Sequence, residues 1–220
     1  MTFEEDVELL GVLAEPQRRR MYDELLHAPE PQTLSELAES LGLGRTLASF
    51  HVNKLVSAGL VDVVPAQPGG RRGRPSQRYA VSRREIEATV PPRRYDLVAS
   101  VLLEAARTQQ PGETPADAGR RVGRRRGAQL AREEPSRRGA PLRRLERLLG
   151  RLGYAPARSD STLILRNCPF DRLRETDRDL VCGINHALAE GYVEGADASD
   201  ALDATLRPCP DNCCVVISSR

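Results

Sequence analysis

Five cysteines stand at positions 168, 182, 209, 213 and 214, and none precedes them in the 220-residue chain. Thiolates bind soft metals and act as nucleophiles, so this end of the chain is where chemistry is expected first. In a reducing compartment, thiols confined to one region read as a metal site rather than a disulfide framework. Their spacing lacks the paired CxxC of common structural zinc sites. Cys168 follows an apolar strand at the turn NCPF, and Cys182 begins a helix, DLVCGINHAL. Cys209, Cys213 and Cys214 lie at the mouth of, or within, a last strand, CCVVIS. Adjacent strand residues face opposite ways, so Cys213 and Cys214 are not expected to ligate one centre together. Three or four such thiolates would suit an iron-sulfur cluster or zinc, with His186, one helical turn after Cys182, as a nitrogen ligand. The competing reading is no metal at all, with the thiols packed in a core or redox-active.

A second constellation spans residues 35 to 82. A helical pair, Ser35 to Ala58, runs into two short apolar strands that bracket an arginine cluster, GGRRGRPSQRYAV, which is the order of a winged helix-turn-helix. Ser35, followed by Glu36 and Ala38, opens a short helix in which Leu37 and Leu41 fall one turn apart and Gly42 ends it. A second helix, Arg45 to Ala58, puts Ala48, Val52 and Leu55 on a buried stripe. Thr46, Ser49, Phe50 and Asn53 share the opposite side, between Arg45 and Lys54. Small hydrogen-bonding side chains between two cations suit a DNA major groove, and Phe50 could cover a thymine methyl. The strands LVDVV and RYAVS flank a wing, Pro65 to Gln77, with no acidic residue between Asp62 and Glu85. Arg71, Arg72 and Arg74 in that wing, with Arg78 beyond it, would follow phosphates or enter a minor groove. The bland alternative is a solvated basic hairpin beside an ordinary three-helix core.

The elements that must position these residues divide the chain in three. Residues 1–90 form the winged helix-turn-helix, 91–153 a helical linker and dimerisation region, and 154–220 a cysteine-bearing α/β sensor domain, mainly α with α+β character overall. VELLGVLAEPQRRRMYDELLHA reads as two helices broken at Pro16, with Leu9, Leu10, Leu13, Met21, Leu25 and Leu26 completing the first core. Arg18 to Arg20 face phosphates or, more simply, solvent. Leu97, Val101, Leu102 and Ala105 repeat as in an amphipathic helix, and Leu142, Leu145, Leu148, Leu149 and Leu152 do so in another. Those faces need a partner, and a symmetric DNA site needs two reading heads, so a homodimer through residues 92 to 110 is expected.

Charge and composition narrow the classes. Residues 1 to 166 carry 28 basic and 21 acidic groups, a net +7, whereas 167 to 220 carry 5 and 10, a net −5. The basic part is the one expected to meet double-stranded DNA. The start, MTFEEDVELL, is acidic, and no segment approaches transmembrane length, so a cytoplasmic protein with no membrane partner is expected. No nucleophile elbow, phosphate loop or HExxH pattern supports an enzyme, and His27, His51 and His186 show no base-orienter arrangement. A regulator sensing a small apolar ligand remains as a rival.

The RGRPSQRY wing, the FHVNKLVSAGLV segment and the distal NCPF, LVCGINHAL and CCVVI pattern together resemble ArsR/DeoR-like bacterial regulators, the group that includes SufR-type repressors of iron-sulfur assembly. The resemblance covers nearly the whole chain. It implies a homodimeric repressor with an iron-sulfur cluster on C-terminal cysteines. By position, Cys168 and Cys182 match the first two ligands and Cys213 a third, with Cys209 its nearest competitor.

Overall fold

Two separate hydrophobic clusters organise the chain, one within each of two units, Met1–Ala88 and Thr89–Arg220. The computed structural model describes residues 3–65, 77–134, 139–207 and 213–220.

The first unit runs α1 (Phe3–Val12), α2 (Pro16–His27), β1 (Gln32–Thr33), α3 (Leu34–Leu41), α4 (Arg45–Ser57), β2 (Val61–Val64) and β3 (Arg78–Val81). Pro16 occupies the first turn of α2, where its missing N–H costs nothing, and the Glu15 carboxylate caps that end by accepting from the amides of Gln17 and Arg18 at 3.1 and 2.8 Å. Helix α3 opens earlier than Ser35. Thr33 is its N-cap, in a reciprocal capping box with Glu36, and Gly42 at φ 63° ends it in the left-handed conformation. Met21, Leu25, Leu37, Leu41, Ala48, Val52, Leu55, Leu60 and Tyr79 form the core. Leu10 and Leu26, expected there, are exposed. Leu26 is turned about 100° round the helix from Leu25, which holds the inward position. The three strands pair antiparallel in the order β1-β3-β2, with Val61 opposite Val81 and Val64 opposite Arg78.

The second unit contains α5 (Tyr95–Thr108), α6 (Pro115–Arg132), α7 (Pro141–Arg151), β4 (Pro156–Ser159), β5 (Thr162–Leu165), α8 (Asp171–Thr176), α9 (Arg178–Gly195), β6 (Leu202–Leu206) and β7 (Val215–Ser219). Its sheet is antiparallel throughout, ordered β4-β5-β7-β6. With helices on such a sheet the class is α+β. The region expected as a separate helical linker shares this core: Leu97, Val98, Val101 and Ala105 of α5 and Leu145, Leu148 and Leu149 of α7 are buried together with Leu163, Ile184 and Ile217. The apolar stripe of α5 is therefore covered within its own chain, with Leu103 left exposed. The stripe needs no second copy to cover it.

Helices α6 and α9 approach along glycines. A Cβ at Gly127 would overlap the Leu188 carbonyl, at Gly191 that of Arg124, and at Gly195 that of Ala128. Backbone here packs on backbone, which only glycine allows. This interface fixes α9, and α9 carries Cys182 and Asn185.

Candidate functional site

In the first unit α4 presents an exposed outer face. Ala48, His51, Val52 and Leu55 point inward, and Arg45, Thr46, Leu47, Phe50, Asn53 and Lys54 outward, with Ser49 half-buried. Thr46, Phe50 and Asn53 are exposed on this face, Ser49 lies at its edge, and Leu47, 46% exposed, joins Phe50 at 52%. The side chains are partly organised. Asn53 Nδ2 donates to Ser49 Oγ at 3.4 Å, Arg45 Nη1 donates to Ser35 Oγ at 3.0 Å, and Lys54 Nζ lies 5.8 Å from the Phe50 ring centroid. His51 is buried behind the face, its Nδ1 3.4 Å from Glu15 Oε2, so the residue that caps α2 also meets α4. The Glu15 carboxyl is held below its usual range: desolvation opposes this, and the Arg18 and Gln17 amides, then His51, outweigh it.

Arg78 is engaged in the fold. Its Nη1 donates to the Pro31 carbonyl at 2.6 Å and lies 3.8 Å from Glu36. Arg18 and Arg19 cap the end of α1, donating to the Val12 and Leu13 carbonyls at 2.6 and 3.4 Å, which is a C-terminal capping role and not a free basic face. Arg71, Arg72 and Arg74 lie outside the described residues.

Residues 13–64 match the helix-turn-helix domain family. The match runs from the end of α1 through β2 and takes in the whole outer face of α4. It supports a DNA-binding transcriptional regulator. No curated protein matches the chain. Among the described residues no helix is long and apolar enough to cross a membrane.

In the second unit four cysteines converge. Cys168 follows β5 in a turn that is held from several sides: Asn167 Nδ2 donates to the Pro92 and Gly153 carbonyls at 2.8 and 2.5 Å. Arg93 Nη1 donates to Asn167 Oδ1 at 2.6 Å and to the Cys168 carbonyl at 2.7 Å. Cys182 is the fifth residue of α9. Cys213 and Cys214 precede β7, Cys213 donating its amide to Leu165 O at 2.9 Å and Cys214 O accepting from the Arg207 amide at 2.6 Å. Because they lie before the strand, strand alternation does not separate their thiols. Cys213 hydrogen-bonds Cys168 and takes Asn185 Nδ2 at 3.1 Å, while Cys214 Sγ is 3.5 Å from Cys182 Sγ. All four are buried and free. Cys209 lies outside the described residues. His186, proposed as a nitrogen ligand from its spacing, turns instead to β6, its Nε2 2.9 Å from the Ala204 carbonyl.

The electrostatics of the four differ. The hydrogen bond from Cys213 pulls the Cys168 thiol down to about 7, against burial, with help from the Phe170 amide and Arg174. Burial pushes Cys182 up to about 12, aided by its hydrogen bond with Cys214. Cys213 is raised by its hydrogen bond with Cys168 and then by burial. Arg174, paired to Asp171 at 2.7 Å, also interacts with Cys168 and Cys214. Behind the thiols, Tyr154 donates to Asn185 Oδ1 at 2.7 Å, and burial holds the tyrosine hydroxyl well above its ordinary range. Neither Asn185, Tyr154 nor Arg174 stood out in the sequence. Asn185 offered only a polar side chain within the run LVCGINHAL.

The donor set suits a thiophilic metal. Two thiolates on one tetrahedral zinc at ~2.3 Å stand ~3.8 Å apart, and the Cys182–Cys214 pair is 3.5 Å apart. Among the described residues, no three His, Cys, Asp or Glu side chains already surround one metal position. The thiols form two hydrogen-bonded pairs, so joint ligation requires them to lose protons and close on a common centre.

Proposed function

We propose that this chain is a homodimeric DNA-binding repressor whose operator affinity is set by the state of the C-terminal thiols, with an iron-sulfur cluster held by Cys168, Cys182 and Cys213 or Cys209. The observation that carries it is the convergence of Cys168, Cys182, Cys213 and Cys214 from three separate elements on one buried locus. Plain core packing does not require thiols from distant segments to hydrogen-bond one another. Cys214, whose Sγ is 3.5 Å from Cys182 Sγ, is a ligand candidate beside Cys213. The cluster would supply a redox- and iron-dependent charge at this locus, and its binding would shift the population between two states of different operator affinity. Support for the homodimer is the two-fold symmetry usual in DNA sites of helix-turn-helix proteins.

The test is the visible spectrum with iron, sulfide and zinc content of protein purified without air, alongside Cys168→Ser and Cys182→Ser. Wild type carrying iron and sulfide, with both variants folded but empty, is the expected result; variants that keep full iron and sulfide refute the ligand assignment. A second reading, a metal-free thiol switch, is favoured by the 3.5 Å Cys182–Cys214 separation, which needs to close only to ~2.05 Å for a disulfide. Metal-free protein whose operator affinity responds to peroxide would establish that reading.

A further inference from the structure

The outer face of α4 has a chemical bias that bears on which base pairs it reads. Successive residues turn by about 100°, so Phe50 and Thr46 lie at the centre of the face, Asn53 and Ser49 on one flank, and Leu47 and Lys54 on the other. Two of these are large exposed hydrophobics, which the fold leaves uncovered although it buries Ala48, Val52 and Leu55 on the same helix. One cation is drawn aside, the Arg45 guanidinium held on Ser35, while the Lys54 ammonium reaches from its flank to 5.8 Å from the Phe50 ring centroid. No arginine stands at the centre, where its planar fork would make a bidentate contact to guanine O6 and N7. Asn53 donates one amide hydrogen to Ser49 Oγ, which leaves its second N–H and its carbonyl oxygen to pair with N7 and N6 of adenine.

We propose that α4 reads A·T pairs, with Phe50 and Leu47 packed on thymine C5-methyl groups and Asn53 on an adjacent adenine, so that each operator half-site is centred on A·T steps. This rests on the DNA-binding reading and adds to it a sequence class and a new contact residue, Leu47. In the major groove a thymine methyl is the one apolar feature on a base edge, and aromatic or aliphatic side chains meet it there. The flanking cations are left to phosphates, which position the helix without choosing the sequence.

The experiment selects duplexes from a random pool with the full-length protein. It then measures affinity for the selected duplex with thymine replaced by uracil, one position at a time, for wild type, Phe50→Ala and Leu47→Ala. Uracil pairs as thymine does and lacks only the methyl. A buried methyl is worth about fourfold in affinity, so one or two positions per half-site should lose about that much with wild type. Phe50→Ala should abolish the loss at one of them and Leu47→Ala at another. Both residues are exposed, so neither substitution empties the core. G·C-centred half-sites, or wild-type binding indifferent to uracil at every position, overturn the proposal while leaving DNA binding intact. A pool from which nothing is retained even at low salt overturns the DNA-binding reading itself, and the proposal with it.

Discussion

Replacing Gly191 by alanine tests whether α6 and α9 owe their close approach to glycine. In a helix free of such contacts the change should stabilise by about 1 kcal/mol, because alanine has the higher helix propensity. Here the added Cβ would overlap the Arg124 carbonyl oxygen and lie 2.7 Å from the Ala128 amide nitrogen. Both are backbone atoms, so no rotamer change relieves the clash and the helices must separate. Overpacking of this kind costs about 1–3 kcal/mol, occasionally more, and rigid backbone on both sides puts it at the upper end. Set against the propensity gain, the net loss is about 2 kcal/mol. Gly150, in α7, is the internal control: nothing lies within 4 Å of a Cβ built there, and Gly150→Ala should be neutral or stabilise by up to about 1 kcal/mol. Urea titrations of the full chain followed by far-UV circular dichroism give both midpoints, and unchanged slopes would confirm that the loss lies in stability. If Gly191→Ala is as stable as Gly150→Ala, the close packing of α6 on α9 is not a constraint. On the proposed cluster reading, Gly191→Ala should also lower the iron and sulfide content of anaerobic protein, because the displaced α9 carries Cys182.

Tyr154→Phe removes the hydroxyl that satisfies the buried Asn185 and should cost about 1–3 kcal/mol in the same titration; a neutral result would mean that the amide finds another partner. In metal-free protein the Cys168 thiol, pulled down to about 7 by Cys213, ionises as pH rises through that value. Its alkylation rate, read peptide by peptide, should therefore climb around pH 7, and a midpoint near the free-thiol ~8.5 would refute the Cys168–Cys213 hydrogen bond. Arg174→Gln should move that midpoint upward, since the lost guanidinium favours the thiolate. Changing Arg72 and Arg74 together to alanine should lower the slope of log affinity against log salt by roughly 2 if each meets one phosphate; an unchanged slope would take both off the DNA backbone.

The first unit was legible because its signals are local. Gly42, the alternation of Ala48, Val52 and Leu55, and the paired strands each report on residues a few positions apart. What escaped there was equally local but ambiguous: Ser35 and Thr33 both suit an N-cap, and only the reciprocal bond with Glu36 decides for Thr33. The second unit was less legible because its determinants are pairs distant in sequence. Gly119, Gly123 and Gly127 recur every fourth residue, yet nothing local says that they meet Ile184, Ala187 and Leu188 on a helix some sixty residues later. β4 was missed because PARS opens with a proline and carries an arginine, which an edge strand tolerates and a central one does not. The α5 stripe was seen correctly as apolar, and only the tertiary structure says that α6 and the unit's core cover it.

The thiols show how far such reasoning reaches into chemistry. Strand alternation set Cys213 against Cys214, and the structure removes the premise by placing both before β7. What then decides between metal and thiol chemistry is energetic. Burial pushes Cys182 up to about 12, so its thiolate near neutral pH needs a cation to stabilise it. A bound metal supplies that stabilisation, because ligation itself deprotonates the thiol, whereas peroxide brings none. Cys168, already near 7, is the thiol at which an oxidant would act first. Metal binding should therefore engage Cys182 and Cys168 together, and oxidation should begin at Cys168 before the Cys182–Cys214 pair closes. The order in which the two cysteines are protected or modified separates the two chemistries within one protein.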